Sequence, residues 1–162
     1  MNITKVANFI LYMIENKVSQ ITDKKVSIIL FLIDYKSFKT NGVKIFDEEY
    51  IKQARHPIPK KLSKIFEIIA NNEDLDEGDE NLYLIQELLD FVDIEVINKE
   101  KFIQLEFLKY EEEFDDSLFS KDEMKIIDNI VNQYKKTSVR NIANACFKID
   151  KVRETLKDEI IL

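Results

Sequence analysis

The chain is 162 residues long and 45% apolar, with a formal net charge of −7, two glycines, two prolines, one cysteine and one histidine. That length is most simply one domain with a real core; the scarcity of Gly and Pro favours helices, and no run approaches the roughly 18 apolar residues that would span a bilayer. The single Cys146 excludes an internal disulfide and a CxxC metal site together, and its apolar setting in NIANACFKI points to a buried structural thiol rather than a nucleophile.

At the N-terminus, ITKVANFILYMIE places Ile3, Val6, Ala7, Ile10, Leu11 and Ile14 on one helical stripe, with Asn2 as its N-cap. Lys5 interrupts the apolar pattern and no small-residue cleavage site follows, so the expectation is a cytoplasmic protein rather than an exported one. TDKKVSIILFLIDYKSFKTNG predicts a second helix capped by Thr22, with Val26, Ile29, Leu30, Ile33 and Phe38 facing inward and Asn41-Gly42 as its left-handed stop. DEEYIKQA fits a short helix begun by Asp47.

HPIP, residues 56–59, joins the only histidine to the only two prolines. Proline fixes φ near −65° and lacks an N–H, so Pro59 suits a first helical turn, while His56 and Ile58 are pushed extended by the prolines that follow them. The stretch is read as a rigid joint, with His56 a turn residue rather than a catalyst. Leu62, Ile65, Phe66 and Ile69 form the inner face of the helix after it.

NNEDLDEGDEN is an exposed loop. It is not an EF-hand: starting at Asp74 the required glycine falls at Asp79, and starting at Glu73 the third ligand is Leu75. LYLIQELLDFV returns to helical spacing through Leu82, Ile85, Leu88 and Leu89. DIEVINKEKFIQLEF then alternates, with Ile94, Val96 and Asn98 opposing Phe102 or Ile103, Leu105 and Phe107, which predicts a hairpin over about residues 93–108. Ser120 and Glu123 stand at capping-box spacing before a helix that buries Met124, Ile127, Ile130 and Val131. A further helix starts at Thr137 or Ser138, and DKVRETLKDEIIL closes the chain. The fold class is therefore mainly α (α+β), a single helical domain over 1–162 with one small antiparallel hairpin.

Charge is unevenly spread. Residues 1–64 carry 12 Lys/Arg against 6 Asp/Glu, residues 65–120 carry 3 against 18, and residues 121–162 carry 9 against 7. A basic front and an acidic middle make a dipolar surface able to steer a charged partner. The basic cluster Lys52, Arg55, Lys60, Lys61 and Lys64 could hold phosphates, yet the excess acid opposes a long polyanion, so nucleic acid is not the expected partner.

Catalytic constellations are poorly served by this composition. One histidine beside a proline supplies neither a nucleophile triad nor a hydrolytic metal site, and Gly42 and Gly78 cannot form a phosphate loop. Abundant carboxylates in loops carry no positional information. The expectation is a protein without enzymatic activity, cofactor or metal.

The order of these segments resembles the Panacea domain, the SocA-like antitoxin domain of bacterial and phage toxin–antitoxin systems. That family places a helix with a K-L-x-K-L-L-Y-x-A-D-like pattern before a Y…G-P-V-P element and ends on a patterned helix pair. Here Asp34-Tyr35 match the aspartate-aromatic step, Tyr50 the tyrosine, HPIP the proline element, and residues 119–146 the late pair, so the resemblance runs through nearly the whole chain. His56 replaces the family's usual glycine, implying either a backbone that needs no positive φ there or a histidine that tolerates it at some cost, and NACFKIDK replaces its T-H-x-x-x-x-W-like ending.

The resemblance implies an antitoxin that neutralises a cognate toxin by direct contact, with presentation to an ATP-dependent protease as a further route. The partner-binding residues it suggests are Asp34, Tyr35, Phe46, Tyr50, Arg55, His56, Pro57 and Pro59, with Tyr35, Phe46, Tyr50 and Arg55 expected as exposed anchors. The alternative is a phage or bacterial adaptor that binds a host protein or nucleic acid without a toxin; a small hydrolase using acidic residues is a third.

Overall fold

In the computed structural model, which describes residues 1–162, helix α2 (Asp23–Asn41) is the axis. Every residue from Lys25 to Asp34 is buried, as expected of a helix apolar on most sides and enclosed by neighbours. Those neighbours are α3 (Lys60–Ala70), α5 (Lys121–Tyr134), α6 (Val139–Phe147) and strand β4 (Ile103–Lys109). Thr22 caps the helix by accepting the Lys25 N–H, and Gly42, at φ 75° in the left-handed region, ends it.

Helix α1 (Ile3–Glu15), capped by Asn2, packs on α4 (Glu80–Phe91). α4 runs directly into β3 (Val92–Asn98), which pairs antiparallel with β4. The register sets Ile94 against Phe107, Val96 against Leu105 and Asn98 against Ile103, as the alternation predicts. Leu105 and Phe107 are buried, and Phe107 meets Phe66 of α3 at 5.4 Å between ring centroids. The outer face carries Asp93, Glu95 and Glu106, with the two glutamates directly opposite one another.

The predicted helix at Asp47 does not form. Asp47 has φ 53°, which a helix start cannot use, and Tyr50–Ile51 instead form strand β1, paired antiparallel with β2 (Ile58–Pro59). A second small two-stranded sheet therefore accompanies the hairpin, and the bend at 54–56 connects its strands. Both prolyl bonds are trans. Pro59 is the N-cap of α3 rather than its first helical residue.

Phe38 is 45% exposed, because the last turn of α2 beyond Ser37 projects past the core. Leu89 is 42% exposed while Leu88 is fully buried; the two point about 100° apart on a helix that packs on one side only.

The capping box at the start of α5 forms as predicted, Ser120 and Glu123 exchanging hydrogen bonds. Tyr12 donates to the carboxylate of Asp128, tying α1 to α5. Ser138, not Thr137, caps α6, and Cys146 is buried, its thiol pushed up to about 12 by that burial. After α7 (Asp150–Glu154) the chain returns to β1: Tyr50 donates to Leu162 O at 2.9 Å, Ile161 to Tyr50 O at 2.8 Å, Lys52 to Glu159 O at 2.9 Å and Asp158 to Lys52 O at 2.9 Å. The tail thus lies antiparallel beside β1, with Ile160 bridging Ile51.

Candidate functional site

The segment from Ile45 to Pro59 lies across α2 as a strap held by two buried carboxylates. Asp34 Oδ1 accepts the N–H groups of Ile45 at 2.7 Å and Phe46 at 2.9 Å. Its Oδ2 lies 2.8 Å from the Tyr50 hydroxyl, which is 3.2 Å from the Leu30 carbonyl. Burial pushes the Asp34 carboxyl up to about 6, against the opposing pull of the Phe46 N–H, the Tyr50 hydroxyl, the Ile45 N–H and Lys44. Burial, then the neighbouring Asp34 charge, hold the Tyr50 phenol well above its ordinary range.

Glu48 is the second lock. Proline at an N-cap offers no side-chain acceptor, and the opening N–H groups of α3 would be left bare. The Glu48 carboxylate fills that role, accepting from Lys61 at 3.3 Å and Leu62 at 2.9 Å, while Glu49 O accepts from Lys60 at 2.8 Å. An anion at a helix start is also favoured by the helix dipole.

These contacts revise the expected anchors. Asp34, Phe46 and Tyr50 are brought together, but all three are fully buried, Phe46 against Phe9 at 5.3 Å and Tyr50 against Phe31 at 5.3 Å. The exposure expected of Phe46 and Tyr50 therefore does not hold: three donors converging on Asp34 draw the strap inward. Pro57 and Pro59 are buried with them, Tyr35 is half-buried against Phe31, and Arg55 is exposed. His56 is half-buried and is not among the residues with positive φ, in keeping with the loss of glycine at that step.

Arg55 and His56 border a cleft of about 900 Å³ between the bend at 54–56, the start of α2, the outer face of β4 and α6. Lys24, Lys99 and Arg140 also reach it, and Glu106 is its one carboxylate. Burial lowers the pKa of His56; the nearby charges of Lys24 and Arg55 add to this, while the Pro57 carbonyl, 2.9 Å from Nδ1, and Asp23 oppose it. Sequence reasoning missed this cleft because its walls come from segments more than a hundred residues apart. It missed Glu48 because nothing local marks a carboxylate as the cap of a helix that starts a dozen residues later; the one cue was a helix opening on proline with no Ser, Thr, Asp or Asn beside it.

No helix is long and apolar enough to cross a membrane. Comparisons with curated proteins and with solved structures give no significant match. The family model described as antitoxin SocA-like, Panacea domain, matches residues 29–149, from within α2 through the strap, the hairpin and α6, leaving α1 and the C-terminal tail outside. That match spans well over half of the chain, which therefore belongs to the SocA-like antitoxin family defined by the Panacea domain.

Proposed function

We propose that the chain neutralises a cognate toxin in the cytoplasm by stoichiometric binding, without enzymatic turnover, and that the toxin's contact face is basic. Family membership is the observation that supports an antitoxin role. The acidic middle supports the sign of the partner: of the 18 Asp and Glu in residues 65–120, 15 are exposed. Only Glu67, Glu80 and Glu113 of these 18 form ion pairs, all on the surface. Tyr83 and Leu89, 61% and 42% exposed, lie on α4 with the exposed, unpaired Asp90 and supply the apolar anchors such an interface needs. Delivery of the bound toxin to an ATP-dependent protease is compatible with this surface and is a second step in the proposal.

The test is co-expression with each neighbouring small reading frame, followed by pull-down and a titration of rescue against dose. Rescue should saturate near one chain per toxin and weaken in Tyr83→Ala combined with Asp90→Lys. Rescue far below equimolar dose would point to modification or repeated delivery, and the absence of any toxic neighbour would favour the adaptor reading.

A further inference from the structure

The cleft beside the strap gathers more positive than negative charge. Lys24, Arg55, Lys99 and Arg140 converge on it and none of the four forms an ion pair, although the Lys24 ammonium also lies 3.9 Å from the Phe102 ring centroid. In a chain with 31 acidic residues against 24 basic ones, four cations converging on one concavity with a single carboxylate in its lining are an arrangement that an anionic occupant would stabilise. α6 also begins at the cleft: Val139 and Arg140, its first two residues, are in the wall, so the positive end of a nine-residue helix adds to the same field.

The remaining lining narrows the class of anion. Glu106 Oε1 accepts from Gln104 Nε2 at 3.1 Å and Oε2 has no partner; the carboxylate would repel a phosphate but Oε2 would accept a hydroxyl or amino hydrogen, so a bare phosphate chain leaves that oxygen unmatched. Phe147, half-buried in the wall, offers part of an aromatic surface to a planar ring. The volume, about 900 Å³, lies within the range of small-molecule sites. We propose that this cleft binds a nucleoside polyphosphate, its phosphates held by Arg55, Arg140, Lys24 and Lys99 and its sugar or base donors by Glu106.

His56 is placed to register the ligand. Its Nδ1 faces the Pro57 carbonyl, an acceptor only, so Nδ1 carries the proton and Nε2 is the nitrogen that titrates. Lys24, Arg55 and Asp23 are the charged groups that act on the ring, and a bound phosphate would offset the two cations.

Since His56 is the only histidine, its Hε1 resonance is unambiguous in a spectrum of the intact chain. The probes are ATP, GTP, inorganic tripolyphosphate and sulfate, each titrated without any partner protein. The expected result is a saturable shift with ATP or GTP, a His56 pKa that rises on saturation, and affinity about tenfold lower in Arg55→Gln and in Arg140→Gln. Glu106→Gln should narrow the gap between nucleotide and tripolyphosphate. The rest of the spectrum reports whether each variant is folded, and a folded Arg55→Gln/Arg140→Gln double variant that binds as well as the parent overturns the proposal. So does a non-saturating response shared with sulfate, or tripolyphosphate binding as tightly as either nucleotide. A shift produced by a protein partner and by no nucleotide would reassign the cleft to the protein interface. The proposal does not rest on toxin binding, and its outcome leaves the antitoxin reading untouched.

Discussion

Glu48 Oε2 accepts the backbone N–H of Leu62 at 2.9 Å, so a residue of the strap caps the helix that follows it. The expected consequence is that Glu48→Ala destabilises through α3 and the strap at once. Loss of the cap, with the buried Leu62 N–H left without an acceptor and the part-buried Lys61 N–H left to water, costs about 1.5–3 kcal/mol. Glu48→Gln, which retains one carbonyl acceptor, should cost less. Urea unfolding measures both, and an Ala variant as stable as the parent would remove the cap from the account of how α3 starts.

Asp34 gives stability a distinctive dependence on pH. Its folded carboxyl is pushed up to about 6 from an ordinary 3.8, so between those values the folded protein keeps a proton that the unfolded chain has released. The contribution is full below about pH 4 and is lost as pH rises through about 6, amounting to roughly 3 kcal/mol at about 1.4 kcal/mol per unit. When protonated, Asp34 can donate to the Tyr50 oxygen, freeing that hydroxyl to donate to Leu30 O, 3.2 Å away. Asp34→Asn should flatten this part of the profile. A parent profile that instead rises from pH 4 to 6 after correction for the other carboxylates would show that the three donors outweigh burial.

Replacing Pro57 and Pro59 together by Ala should lower stability by roughly 0.5–2 kcal/mol, mainly by loosening the unfolded chain. Chemical denaturation checks the magnitude. A much larger loss would mean that the two buried rings act chiefly as packing.

Partner association should be salt-sensitive in its rate. An interface of ordinary size, near 1,600 Å², formed on the exposed carboxylates of residues 65–120 should associate more slowly as salt is added, with a smaller change in dissociation. Stopped-flow binding at several ionic strengths distinguishes this from an apolar interface, for which both rates would change little.

Much of the helical framework was legible because periodic apolar residues and caps are local signals. Asn2, Thr22, Gly42, Ser120 and Ser138 all act where the sequence places them, and the hairpin register follows from its alternation. The strap was not legible, since Asp47-Glu48-Glu49-Tyr50 has the composition of a helix start and only tertiary contacts decide otherwise. Tyr50 and Phe46 looked like surface anchors because a polar-flanked aromatic has the same sequence appearance whether its neighbours are water or Asp34. The family motif points to Asp34 and Tyr50, and the structure shows both building the strap's attachment inside the core.

The attachment of residues 158–162 along β1 has a mechanical consequence. Its four hydrogen bonds to Tyr50 and Lys52 lie in sequence along the tail, so traction on Leu162 loads them one after another, as in a zipper, rather than all together in shear. Peeling would begin at low force and would strip Ile161, only 1% exposed, from its seat, uncovering the strap's edge before any helix is disturbed. A threading unfoldase that gripped this end would therefore meet its weakest resistance first, whereas one pulling from Met1 must begin with α1, whose residues Val6 to Met13 are all buried.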